Sequence, residues 1–143
     1  FEGFCSGGGI ARLACRMRRG WAEHGEHPAW SETDEEMSTR ALAGYAKDGD
    51  AYARQVFEAA GEKLGCALAL LADVLNPETI VIGSVYIRCE ELLREAMWRA
   101  LRREALAQTV DGLQVLPAQT GEKIGDLAAV MVAEYGLAKK RGL

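Results

Sequence analysis

The segment LADVLNPETIVIGSVYIRCEELL, residues 71–93, holds two helical patterns with a short strand between them. The first helix ends at Asn76-Pro77, because the residue before a proline is steered out of the α region. Thr79 to Ile82 is β-branched on both faces, the composition of a strand covered above and below in a parallel or mixed sheet. The run stops at Gly83-Ser84, and the second helical pattern follows almost at once. Open α/β sheets bind ligands beyond the carboxyl ends of their strands, where such turns lie. A glycine lets backbone approach a ligand there, and the next helix offers unpaired N–H groups. An ordinary tight turn has the same composition, and local chemistry alone favours the turn.

Upstream, residues 51–75 carry an unbroken helical stripe: Ala53, Val56, Phe57, Ala60, Leu64, Leu68, Leu71 and Leu75. Asp50 is placed to cap it. Gly61 and Gly65 lie one turn apart on this helix. Each costs about 1 kcal/mol against Ala in an exposed helix, so close packing of another backbone or side chain is expected there. Cys66 to Leu75 is apolar nearly all round and predicts burial on several sides. A shorter helix over about Ser38–Lys47 turns Ala41, Leu42 and Tyr45 inward and ends at Gly49. A further helix over Ser6–Arg19 is capped by Ser6, faces inward through Ile10, Leu13, Ala14 and Met17, and closes at Gly20. Between these two, WAEHGEHPAWSETDEE, residues 21–36, breaks the period and reads as a surface loop.

Downstream, a helix over Cys89–Arg103 buries Leu92, Leu93, Ala96, Met97, Ala100 and Leu101. Glu90–Arg94 and Glu95–Arg99 have i,i+4 spacing on its wet face. LQVLP, residues 113–117, is a second strand, Gly125–Tyr135 a final amphipathic helix, and AKKRGL, residues 138–143, a solvated tail. This order predicts a helix-rich α/β fold. Two strands are too few for so many helical faces, so further strands are expected upstream.

At 143 residues the chain is one domain or a piece of one, and its opening on Phe1 suggests processing or a piece. A net charge of −4 offers no electrostatic attraction for nucleic acid. No apolar run approaches the roughly 18–20 residues that cross a membrane, and the Gly-rich start is not a signal peptide. Cys5, Cys15, Cys66 and Cys89 show no CxxC spacing, which argues against a zinc site built from them and for a reducing, cytoplasmic setting. His24 and His27 alternate with Glu23 and Glu26, but a solvated loop does not preorganise metal ligands. Arg16, Arg18 and Arg19 sit at a helix C-terminus, the wrong pole for an anion. Trp30 and Trp98 lack binding-platform spacing, and Trp98 reads as a core or interface side chain.

FEGFCSGGGIARLA (residues 1–14) and AKDGDAYARQVFEAAGEKLGCALALLADVLNPETIVIGS (residues 46–84) together resemble the ROK family of bacterial sugar kinases and sugar-responsive repressors. The matching runs are Phe1-Glu2, Phe4, Ser6-Gly7 and Ile10-Ala11-Arg12, then Gly49-Asp50, Leu64-Gly65, Leu75-Asn76-Pro77-Glu78 and Ile80 to Gly83. LPAQTGEKIGDLAAV, residues 116–130, is similar to the family's closing helix.

The resemblance implies an actin-like, ribonuclease-H-like ATPase fold of two lobes, with residues 1–143 a partial C-terminal lobe. The N-terminal lobe with its phosphate loop, the Asn-Asp run holding the catalytic base, and the first strands of this lobe would lie elsewhere. It implies Mg-ATP, a hexose or N-acylhexosamine substrate, and a homo-oligomer with neither nucleic-acid nor membrane contacts through this segment. No catalytic residue falls in the chain. Glu2 matches the glutamate that binds sugar hydroxyls, a task suited to a carboxylate's bidentate acceptance. Gly83 and Ser84 match the Gly-Gly turn that lies against the nucleotide. If that turn needs φ > 0, Ser84 costs energy there. The family's zinc motif would end just before Phe1, so Cys5 is not one of its ligands. The alternative to a kinase is the sugar-sensing, dimerising part of a repressor. A third reading, suggested by Gly61, Gly65 and Cys66–Leu75, is a helical association surface.

Overall fold

The computed structural model describes residues 2–32, 37–119 and 124–140, and the side chains of most of these. A short helix α1 (Glu2–Cys5) leads into α2 (Gly7–Glu23); a 3-10 turn (Ala29–Glu32) precedes α3 (Thr39–Lys47). The long α4 (Ala51–Leu75), strand β1 (Thr79–Ile82) and α5 (Val85–Glu104) follow. Then come α6 (Ala107–Val110), β2 (Gln114–Pro117) and α7 (Ile124–Lys140). β1 and β2 pair in parallel from Thr79↔Gln114 to Ile82↔Pro117, with α5 in the crossover that parallel strands require.

The two expected caps, Ser6 and Asp50, form, and Ser38 caps α3 as well. Ser6 Oγ accepts the Gly9 N–H at 3.0 Å, Ser38 Oγ that of Ala41 at 3.1 Å, and Asp50 Oδ1 that of Ala53 at 2.7 Å. The core is centred on α4 packed along α5. A Cβ at Gly61 would lie 2.7 Å from the Leu93 carbonyl oxygen, and one at Gly65 would overlap the carbonyl oxygen of Met97. The two glycines therefore mark a close backbone approach, as their positions on the helix suggested. Phe57, Leu93, Met97 and Leu101 are buried in the seam.

Several expectations change on folding. α2 runs through Gly20 to Glu23 instead of closing there, because Trp21 packs edge-on against Trp30 and Tyr52, with ring centroids 6.2 and 4.9 Å away. Trp30 is fully buried and donates its indole N–H to Asp50 Oδ1 at 3.2 Å, so it is not a solitary loop aromatic. In α3, Leu42, Ala43 and Ala46 face inward, while Ala41 is exposed. Arg94 pairs with Glu90 at 3.0 Å, but Arg99 turns from Glu95 to Glu58 of α4, 2.7 Å away. α5 begins at Val85, ahead of Cys89, where a non-helical residue kinks it. The short α6 was not foreseen; Asp73 Oδ1 holds it by accepting from the Leu106 N–H and the Thr109 hydroxyl.

The largest difference concerns burial. Val81 is 61% exposed, and Leu70, Leu71, Val74 and Leu75 are open to solvent. No element among the described residues covers that face of β1 and the end of α4. The apolar composition is therefore not matched by burial within this chain. The apolar side chains Val130, Met131, Val132 and Tyr135 of α7 are likewise exposed.

Candidate functional site

β1 delivers the chain to Gly83 and Ser84, and α5 starts at the next residue. Ser84 adopts φ 56°, ψ −127°, a conformation natural to glycine and costly for a residue with a Cβ. Ser84 occupies the N-cap of α5, yet its side chain makes no capping hydrogen bond. The sequence had left open whether this turn needs a positive φ. It does.

Facing the turn is α1. Ser6 holds its end by donating from Oγ to the Glu2 carbonyl oxygen at 2.7 Å. Gly9 lets α2 pass beneath it, since a Cβ there would come within 2.6 Å of the same oxygen. The Cys5 thiol points to the Ala60 carbonyl oxygen, 3.7 Å away, tying α1 to α4. Burial pushes the Cys5 thiol pKa up, so it stays protonated at neutral pH and is a poor nucleophile.

Between these walls lies a cleft of about 250 Å³ lined by Glu2 and Cys5 on one side and Ile82, Gly83, Ser84 and Tyr86 on the other. Glu2, Gly83 and Ser84 thus meet at one place although they come from opposite halves of the chain. Ligand pockets usually enclose about 300–1,000 Å³, so this cleft is a small one. Tyr86 also borders the cleft, and its buried hydroxyl, within the field of Glu90 and Arg94, finds no hydrogen-bond partner among the described residues. Burial, reinforced by Glu90, raises the Tyr86 pKa. Sequence reasoning passed over Tyr86 and Cys5, because nothing in their immediate neighbours signals the cleft.

Larger hollows lie elsewhere. One of about 790 Å³ between α3, α4 and α5 is bordered by the ion-paired Lys47, Glu91, Glu58 and Arg99 and reads as a solvated charged surface. A second, of about 840 Å³, runs past Arg12, Arg16 and Arg19 of α2. His24 lies on the surface with Nδ1 2.8 Å from the Gly20 carbonyl oxygen, and His27 is exposed. Among the described residues no group of three His, Cys, Asp or Glu side chains is placed to hold a metal ion. No helix among them is long and apolar enough to cross a membrane.

The ROK family model matches residues 1–135. The chain is 31% identical over 126 residues to a glucokinase of Halalkalibacterium halodurans, covering 87% of this chain and 37% of that enzyme. It superposes with a TM-score of 0.67 on a ROK family transcriptional regulator, a homologue of the Escherichia coli MLC protein, at 27% identity over 78% of this chain and 27% of that one. A Streptomyces griseus ROK family glucokinase, solved with glucose and AMPPNP, gives a TM-score of 0.65 at 23% identity, covering 84% and 39%. The chain therefore spans well under half the length of each of these proteins. The small parallel sheet and its helices thus share their fold with solved ROK proteins. With its ordered motifs, its fold and these matches in agreement, the chain belongs to the ROK family.

Proposed function

We propose that residues 1–143 are the trailing part of the C-terminal lobe of an ATP-dependent sugar kinase acting on a hexose or N-acylhexosamine. The observation that carries this reading is the shared cleft: Glu2 stands opposite the Gly83-Ser84 turn across one hollow. Phosphoryl transfer needs sugar and nucleotide side by side, since most of its catalysis is positioning and charge neutralisation. Glu2 would orient the sugar through its hydroxyls, and Gly83-Ser84 would line the nucleotide side. The proton acceptor would be an Asp elsewhere in the protein. Among the described residues, Glu2 is the carboxylate that borders the cleft. Four free thiols support a reducing, cytoplasmic setting, and the same reading makes the protein a homo-oligomer.

The 27% identity to a transcriptional regulator supports a second reading, in which the protein senses the sugar without phosphorylating it. One experiment separates the two. The full-length protein is assayed for ADP release from Mg-ATP with a panel of hexoses and N-acylhexosamines, alongside direct sugar binding. Sugar-dependent turnover supports the kinase; sugar binding without turnover supports the sensor. Residues 1–143 alone are expected to be inactive, and measurable turnover from them would refute the assignment of the catalytic base to another part.

A further inference from the structure

Arg12, Arg16 and Arg19 follow one another at i, i+4 and i+7, so α2 carries them on one face over about 10 Å of its length. The helix continues to Glu23, which leaves these side chains along its middle and away from the C-terminal pole expected from the sequence. All three line the hollow of about 840 Å³ beside the start of α3, and no aspartate or glutamate is among the described residues that line it. None of the three forms an ion pair among the described residues. Arg40 and Arg88 border the same hollow and have interactions of their own. Like charges at i,i+4 on a helix repel, and a counter-anion relieves that repulsion.

The lining is also well positioned. The Arg16 guanidinium sits over the Phe4 ring of α1, 5.7 Å from its centroid. Arg12 folds back over the first turn of α2, where a Cβ on Gly8 would lie 3.3 Å from its Nη1. The Thr39 hydroxyl donates to the Gly7 carbonyl oxygen and fastens the first turn of α3 to that of α2. The N-terminal end of α3 therefore borders the hollow too, with the polarity that favours an anion.

We propose that this hollow is a second ligand site, sharing no lining residue with the Glu2 cleft, and that it binds a small anion carrying two or more phosphoryl groups. Guanidinium forks match phosphoryl oxygens two at a time. A phosphoryl group carries about −1.5 to −2 charge at pH 7, so two of them balance three arginines. The volume falls within the range of about 300–1,000 Å³ usual for small ligands. A nucleic acid would also meet the rest of a chain of net charge −4, whereas a small anion feels mainly the charges within a Debye length of about 8 Å.

Calorimetric titration of tripolyphosphate into the full-length protein tests the site. Arg16→Gln should weaken binding about tenfold, and Arg12→Gln/Arg16→Gln/Arg19→Gln should abolish it, with no fall in melting temperature. Orthophosphate should bind the parent about tenfold more weakly than tripolyphosphate, and a hexaglutamate peptide should not compete. Undiminished tripolyphosphate affinity in the triple variant would overturn the site. Equal affinity for orthophosphate, or tighter binding of hexaglutamate, would overturn the choice of ligand. The acidic run Asp34-Glu35-Glu36 lies outside the described residues. Asp34→Asn/Glu35→Gln/Glu36→Gln should leave tripolyphosphate affinity within about twofold. Binding that arises only in that variant would assign the counter-charge to the chain itself and overturn the proposal, as would a parent protein that binds no tripolyphosphate.

Discussion

Gly65 of α4 lies so close to Met97 of α5 that a Cβ on the glycine would overlap the methionine's carbonyl oxygen. Helix propensity and packing therefore pull in opposite directions at this position. Alanine would favour the isolated helix by about 1 kcal/mol, but overpacking a seam of backbone atoms costs about 1–3 kcal/mol or more. Gly65→Ala is expected to destabilise the protein, and Gly61→Ala to do so less severely. Denaturant midpoints at constant m-value would measure both, and a stabilised Gly65→Ala would contradict the packing described here.

Asp50 serves two elements at once, accepting from the Ala53 N–H and from the indole of buried Trp30. Asp50→Ala should cost about 1–3 kcal/mol, more than an ordinary cap, since both hydrogen bonds to its Oδ1 go together. The near-ultraviolet circular dichroism of tryptophan should change with it. A loss no larger than that of Ser38→Ala, which removes a cap alone, would mean that the link to Trp30 contributes nothing.

Cys89 is buried in α5, and desolvation raises its thiol pKa above the ordinary 9.0. The folded state then holds this proton more tightly than the unfolded one. Its contribution to stability is fully present below pH 9.0 and declines as pH rises from there through the folded-state value. Cys89→Ala should flatten that alkaline decline in unfolding free energy, whatever it does to stability at neutral pH. An unchanged slope between pH 8 and pH 10 would show that Cys89 is not its source.

On the proposed function, Glu2→Gln in the full-length protein removes a charged acceptor of sugar hydroxyls. Sugar affinity should fall roughly tenfold or more, with nucleotide affinity retained. Isothermal calorimetry with each ligand distinguishes the two, and an unaltered sugar affinity would end the case for Glu2.

Arg99 reaches Glu58 and Glu62 across the α4–α5 seam, and all three side chains are well exposed. Solvent screens such pairs, so Arg99→Ala should leave the unfolding midpoint within experimental scatter.

Much of this protein could be read along the chain. Ser6 and Asp50 announced two helix starts, Pro77 a helix end, and the β-branched run Thr79–Ile82 a strand, because caps and periodicity act within a few residues. Gly61 and Gly65 even foretold a close neighbour, since two glycines in one helix need a reason. Other features were not legible. Arg99 has a carboxylate at i−4 and another across the seam, and only packing selects between them. The apolar residues Leu71 and Leu75 continue the helical stripe, yet they are exposed within this chain. Composition records what a side chain is suited to meet, not whether the partner is present.

The main helices, the caps at Ser6 and Asp50, and the turn after Ile82 were thus determined by local chemistry, which needs only neighbouring residues. The positive φ of Ser84 and the meeting of Glu2 with that turn were decided by tertiary structure. Both depend on how closely α1, α4 and α5 approach one another, and that distance is set by steric contacts between residues far apart in the chain.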